Sequence, residues 1–232
     1  MNDVDIAVLI PCYNEEKTIA ATVEDFHKYL PSAKIYVYDN NSTDRSMEIV
    51  SEYDYCVCGS CSVQGKGAVV RKMFKEIDAD VYIMADGDTT YPAEYAKRLV
   101  YKVTHKNCDM VLGDRLSSNY YSDNDRQFHG FGNWLVKFLV NLFYHSNIPD
   151  IMTGYRAFSK QFVKSVEITN DGFQVETEMT IYALKHHYKI GSVPIKYGTR
   201  PDGSSSKLHT VSDGFKVLSF IFLSKFKRRG VK

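Results

Sequence analysis

Apolar strand-like runs alternate with amphipathic helical segments through the first half of the chain, and this alternation narrows the folds open to it. Residues 6–10 read as a strand that Pro11 would stop, and residues 15–30 carry helical spacing at Ile19, Val23, Phe26 and Leu30. Residues 34–38 read as a second strand and 42–53 as a second helix, with Ser42 or Thr43 as N-cap. Residues 55–58, 67–77 and 81–85 continue as strand, helix and strand. That order predicts parallel pairing through right-handed crossovers, hence an α/β fold with an open, mostly parallel sheet flanked by helices. Ligands of such sheets bind outside the carboxyl ends of the strands. Residues 11–15, 39–44 and 86–90 all follow strands and should meet in one crevice.

The third of these loops carries the sharpest chemical signal. Asp86-Gly87-Asp88 ends the apolar run Val81-Tyr82-Ile83-Met84-Ala85. Two carboxylates one residue apart at the tip of a buried strand suit Mg²⁺ or Mn²⁺, which takes oxygen ligands and leaves positions for substrate phosphates. A plain polar turn is written the same way. Asp39-Asn40-Asn41-Ser42-Thr43-Asp44 offers acceptors for a base or ribose after the second strand, or simply builds a turn. Gln64-Gly65-Lys66-Gly67 resembles a phosphate loop but departs from the Walker spacing, and Gly67 stands where Ser or Thr would meet Mg²⁺. It still sets a cation and pliable backbone at a helix N-terminus, which suits an anion. Cys56, Cys58 and Cys61 lack the second Cys/His cluster of a zinc site and read as small residues on a half-buried strand and its following loop.

Composition bounds the partners. A chain of 232 residues that is 44% apolar supports one domain, with room for an appendage. A formal charge of +1 argues against nucleic acid as a partner. Five unevenly spaced cysteines give no disulfide framework. The first residues, with Asp3 and Asp5, show neither a basic nor an apolar leader region, so the expected setting is reducing and cytosolic.

The second half changes character. Residues 109–113 read as a strand, 116–130 as a long aperiodic loop of the kind that is usually functional, and 131–143 as a strongly amphipathic helix. Residues 177–186 read as a helix, 190–197 as a strand, and 198–207 as a Gly/Ser-rich loop carrying Arg200 and Lys207. The run from Phe215 to Leu223 is about half the length of a bilayer span and is followed by Lys225, Lys227, Arg228 and Arg229. Apolar bulk beside a basic cluster predicts an amphipathic interfacial helix on anionic lipid, the rival being a helix that covers the domain's own core.

Together these segments resemble the family 2 glycosyltransferases of the GT-A fold, and among them the polyprenyl-phosphate sugar transferases such as the dolichol-phosphate mannose synthases. The resemblance rests on Ile10-Pro11-Cys12-Tyr13-Asn14-Glu15-Glu16 and on stretches 38–44, 64–71 and 86–92. Val111-Leu112-Gly113-Asp114-Arg115 and stretches 150–156, 173–178 and 197–208 follow in family order. It implies a catalytic domain over residues 1–210 and an appended basic segment over 211–232. Pro11, Tyr13, Asn14, Glu15, Asp39 and Asn41 would hold the nucleoside of a UDP-glucose or GDP-mannose type donor, with Lys66 nearby. Asp86 and Asp88 would bind the Mg²⁺ or Mn²⁺ that bridges its diphosphate. Arg115, Arg156, Arg200 and Lys207 would surround an acceptor or donor phosphate, while Asp150, Glu176 and Glu178 would face the sugar. Thr90 departs from the pattern, standing where some members use Gln as a third metal ligand. Some relatives also continue into transmembrane helices. The expectation here is a peripheral protein at the cytoplasmic face of a membrane, with a membrane-protein partner allowed.

Charge then dictates mechanism. Breaking a glycosidic bond to a diphosphate builds negative charge that a divalent cation would offset. An anionic lipid phosphate needs cations to hold it and little general-base help, whereas a hydroxyl acceptor would need a carboxylate base such as Asp150, Glu176 or Glu178. The family's single displacement implies inversion at the anomeric carbon. Two rivals differ in class. Asp86-Gly87-Asp88-Thr89-Thr90 also fits phosphatases with an aspartyl nucleophile, but two βα units precede it and only scattered Asp114, Asp123 and Asp125 follow. A sugar-nucleotide-binding protein without catalysis would have little use for intact metal carboxylates.

Overall fold

The computed structural model describes residues 4–117, 127–201 and 210–226. Among these, seven strands form one sheet: β1 (Ile6–Cys12), β2 (Lys34–Asp39), β3 (Cys56–Ser60), β4 (Val81–Met84), β5 (Met110–Asp114), β6 (Arg156–Ser159) and β7 (Ile190–Pro194). The order is β3-β2-β1-β4-β6-β5-β7. All ladders are parallel except those of β6, which runs antiparallel to both β4 and β5. The expected open, mostly parallel α/β sheet is what forms.

Helices cover both faces, as a buried parallel sheet requires. Alternate residues of β1 and β4 sort between two cores. Val8, Ile10, Val81 and Ile83 face α1 (Ile19–Tyr29), α2 (Ser46–Val50) and α4 (Ala96–Lys106). Leu9, Tyr82 and Met84 face α3 (Lys66–Glu76), α5 (Gln127–Tyr144), α6 (Lys160–Ser165), α7 (Val175–Lys185) and α8 (Thr210–Phe226).

Three local expectations shift. β1 runs through Pro11 to Cys12, whose carbonyl accepts from Asn40 N at 2.8 Å. α2 begins at Ser46 rather than 42, because the polar residues before it bind elsewhere. Ser42 Oγ accepts from Asn14 N, Ser46 Oγ from Glu15 N and Asp44 from Glu16 N, which ties the β2 loop to the β1 loop. α4, β6 and α6 stand where no element was expected.

α8 lies against α5 and α7, with Val217 and Ile221 fully inside the second core. Tyr144 and Ser224 hydroxyls meet at 2.8 Å, and the Phe143 and Phe222 rings pack edge to face at 5.4 Å. The opposite sides of both helices remain apolar and exposed: Trp134, Phe138 and Leu142 on α5, and Phe215, Leu223 and Phe226 on α8. No helix among the described residues is long and apolar enough to cross a membrane. Lys227, Arg228 and Arg229 lie outside the described residues.

Arg156 is the departure with most consequence. Expected beside a phosphate, it starts β6 with 0% of its surface exposed. Its guanidinium donates to the carbonyls of Thr153 (2.9 Å) and Ile151 (2.6 Å) and to Thr180 Oγ1 (3.0 Å). Burial pulls its pKa down to about 10, with Glu176 and Asp150 resisting, so it stays charged at neutral pH. Arg156 is therefore a core cross-link between the loop before β6 and α7. Arg156→Met should leave those acceptors unpaired at about 1–3 kcal/mol each, lowering the melting temperature by at least about 6 °C in circular-dichroism melts. A melt within 1 °C of the parent would remove Arg156 from the fold's support.

Candidate active site

The carboxyl ends of β1, β2 and β4 open onto a cleft of about 720 Å³, as the topology requires. Pro11, Tyr13 and Glu15 come from the β1 loop, Lys66 from the first residue of α3, and Asp86 and Asp88 from the β4 loop. Arg115 follows β5, Glu176 lies on α7, and Arg200 follows β7. These nine expected residues share one cavity. The others are placed elsewhere or outside what the structure describes.

Lys66 organises the floor. Its Nζ lies between Asp86 Oδ1 and Glu176 Oε1, the latter at 2.7 Å. Burial alone would lower the lysine pKa, but the two carboxylates outweigh it and raise it. Lys66 is thus a permanent ammonium. Its position depends on glycines with little room for a side chain. A Cβ on Gly67 would stand 2.1 Å from Asn170 O, and Gly65 adopts φ +130° against Asp171. A Cβ on Gly154 would stand 2.8 Å from Asp86 Oδ2 and 3.0 Å from Lys66 Nζ.

Asp88 is 1% exposed. Its Oδ1 accepts from Thr90 N (3.1 Å) and Thr90 Oγ1 (2.5 Å). Arg200 Nη2 lies against the other oxygen, Oδ2, as an ion pair without hydrogen-bond alignment. Burial, then the charge of Asp86, raises the Asp88 pKa, with Arg200 and Thr90 opposing. A buried carboxylate oxygen without an aligned donor, close to a second carboxylate, fits a hard divalent cation. Among the described residues, no three His, Cys, Asp or Glu side chains come together closely enough to hold a metal ion by themselves. Such a cation would therefore take its remaining ligands from water or substrate oxygens. Thr90 spends its hydroxyl on Asp88, which makes it a support of that carboxylate.

On the far wall, Arg115 makes a two-pronged pair with Asp150, Nε to Oδ2 at 2.8 Å and Nη2 to Oδ1 at 3.0 Å. The Tyr197 ring lies 5.3 Å from the guanidinium, and Tyr91 lies 5.1 Å from Tyr197. Burial would lower the Arg115 pKa, but Asp150 more than compensates and it rises. Asp150 thus stands behind the wall as the counter-ion that orients Arg115.

Glu178 is likewise a support. It accepts from Thr169 N (2.9 Å) and Asn170 N (3.1 Å), fixing the turn on which Gly65 and Gly67 rest. Asn14 and Asn41 hold loops rather than line the cavity: Asn14 Oδ1 accepts from Thr43 N at 2.7 Å, and Asn41 Nδ2 donates to Ser62 O at 3.2 Å. Both sit at positive φ, 53° and 64°. Asp39 closes the β2 turn by accepting from Ser42 N and stands in register with Cys12 of the cavity wall. Lys207 lies outside the described residues.

Sequence reasoning offered Asn40 only as part of a stretch of acceptors for a base or ribose, but its Nδ2 donates to Cys61 O and Val63 O while its Oδ1 accepts from Gly65 N, clamping the entry to α3. It missed Tyr91, Met152, Gly154 and Phe173, and the α5 and α8 residues Asn133, Asp213 and Lys216, which line the cavity as well. Cys56, expected to be structural, sits on the edge strand β3, as does Cys58.

A family model described as glycosyl transferase family 2 matches residues 7–166. Glycosyltransferase AglJ of Haloferax volcanii is 33% identical over 224 residues, covering 96% of this chain and 71% of that protein. A dolichyl-phosphate hexose transferase of the same organism is 28% identical over 214 residues, 92% of this chain and 90% of its own length. Among solved structures, glucosyl-3-phosphoglycerate synthase from Mycobacterium tuberculosis, in complex with Mn²⁺, UDP and glucosyl-3-phosphoglycerate, matches at TM-score 0.78 and 16% identity. That match covers 96% of this chain and 80% of the other, and is a likeness of fold.

Gly154 offers a direct test of the cavity's geometry. Gly154→Ala should push Asp86 and Lys66 apart while leaving the sheet intact, because the added methyl points at the two charged groups. The expected result is a near-normal melting temperature with Mn²⁺ binding by electron paramagnetic resonance weakened about tenfold or more, the scale of a misplaced ligand group. Unchanged Mn²⁺ affinity would detach Asp86 from the cation site.

Proposed function

The chain belongs to glycosyl transferase family 2, and from that membership we propose that it moves a hexose from a nucleotide-diphosphate sugar to a polyprenyl phosphate with the help of Mg²⁺ or Mn²⁺. One observation carries the donor and metal part of this reading. Among the described residues lining the cavity stand six carboxylates and four bases, an excess of two negative charges. An anionic diphosphate would be repelled from such a cavity unless a divalent cation restored the balance. Asp86 and Asp88 are the pair whose oxygens suit it.

Bound there, the cation would supply Lewis-acid stabilisation of the departing diphosphate. The protein's own groups do the rest. Thr90 holds Asp88 in place, and Lys66 fixes Asp86 against Glu176. Pro11 and Tyr13 line the cavity at the end of β1, where the nucleoside would sit. Arg115, locked by Asp150, gives the opposite wall a guanidinium for a phosphate oxygen.

The acceptor reading draws support from what the expected bases are doing. Asp150 is spent on Arg115, Glu176 on Lys66, and Glu178 on backbone donors. An acceptor that arrives already ionised needs none of them as a base, and direct displacement then inverts the anomeric centre. Asn133 on α5 and Asp213 and Lys216 on α8 place the cavity beside the two helices whose outer faces are apolar. A lipid tail could leave the cavity there. The same faces support peripheral docking at a membrane surface.

Incubation of labelled UDP-glucose or GDP-mannose with a short-chain polyprenyl phosphate and Mn²⁺ should yield a lipid-linked hexose. Transfer to a soluble hydroxyl acceptor and none to the lipid would overturn the acceptor assignment. Asp88→Asn should reduce turnover at least about a hundredfold, the scale of losing a metal's charge stabilisation. Undiminished turnover in that variant or in excess EDTA would remove the metal. Paired Leu223→Glu and Phe226→Glu substitutions should cut co-sedimentation with anionic vesicles several-fold while leaving the fold intact, since both side chains face outward.

A further inference from the structure

Each carboxylate of the Asp86/Asp88 pair is held by a base of its own, and the two holds differ in kind. Lys66 is buried, is shared with Glu176 and is fixed by the glycine contacts at Gly67 and Gly154. Arg200 has a side chain 21% exposed, contacts Asp88 on the cavity side and lacks hydrogen-bond alignment to the oxygen it covers. Asp88 Oδ1 is already committed to the two Thr90 donors, so Oδ2 is the oxygen left for a cation, and Arg200 stands on it.

We propose that Arg200 is a resident counter-ion of Asp88, which must leave that carboxylate for a divalent cation to bind and which then engages the diphosphate arriving with the cation. This rests on the metal reading above and adds a role for Arg200 within it. Two charge requirements support the exchange. Without a cation, Asp86 and Asp88 would repel each other in a buried pocket, and the arginine relieves that cost. Once a divalent ion sits between them its two charges balance the two carboxylates, so Asp88 no longer needs the guanidinium, which can turn to an arriving phosphate oxygen. Lys66 does not take part, because Glu176 keeps it in place whatever Asp86 binds.

The consequence is a tax on metal binding without nucleotide. If Arg200 covers Asp88 nine-tenths of the time, the apparent Mn²⁺ affinity is reduced about tenfold. The test measures Mn²⁺ binding by electron paramagnetic resonance, with and without UDP or GDP, in the parent, Arg200→Gln, Arg200→Lys and Asp88→Asn. Arg200→Gln should bind Mn²⁺ alone about tenfold more tightly than the parent. It should also gain less from added nucleoside diphosphate, while Arg200→Lys stays close to the parent. Melting curves check that each variant is folded, and the place of Arg200 at the cavity surface, outside both hydrophobic cores, predicts that they are. Equal or weaker Mn²⁺ binding in Arg200→Gln would overturn the proposal. If Asp88→Asn bound Mn²⁺ as well as the parent, the metal reading itself would fall, which separates the two failures.

Discussion

A single buried ammonium ties the molecule's parts together. Lys66 opens α3, reaches Asp86 beyond β4 and Glu176 on α7, and so links three segments that are far apart in sequence. Its charge is retained because two carboxylates together outweigh the cost of burying it. Around it the backbone is correspondingly tight. Gly65 and Gly67 rest on the 170–171 turn that Glu178 holds, and Gly154 makes room for Asp86 from the opposite side. Removing any of these supports would move a charge, so the site depends on close packing as much as on its acidic pair.

The reversed strand β6 makes that packing possible. Inserted between β4 and β5, it brings the 150–155 loop to the same end of the sheet as the β1 and β4 loops. Arg156 anchors the loop from within the core, binding Ile151 and Thr153 carbonyls. Asp150 can then orient Arg115, and Gly154 can sit against Asp86. A charged residue thereby stabilises the site from behind without entering it.

α5 and α8 give the cavity its surroundings. Each buries one side against the body and exposes an apolar side, and each also contributes polar residues to the cavity. Substrate chemistry and any surface the protein docks on are therefore mechanically adjacent. Two helices with double apolar faces are costly to expose to water and suit an interface.

Much of the fold was legible because it is local. The alternation of β-branched strands with amphipathic helices fixed the α/β class and the direction of the first four strands, and the strand ends named the loops that form the cavity. That Asp86 and Asp88 line the cavity was readable because both follow directly on an apolar strand. Tertiary structure alone decided the role of each charge. Arg156 and Arg115 look alike in sequence, yet one fills the core and the other faces the cavity, because β6 is four residues long and its arginine meets carbonyls from its own loop. Glu176 and Glu178 sit two positions apart on α7, and the helix turns them to different partners, Lys66 and the 169–170 turn. Likewise, nothing in the residues around Gly154 marks it as a position where a methyl would press on Asp86 and Lys66. A side chain's partner is set by what the fold brings within a few ångströms, and sequence neighbours do not record that distance.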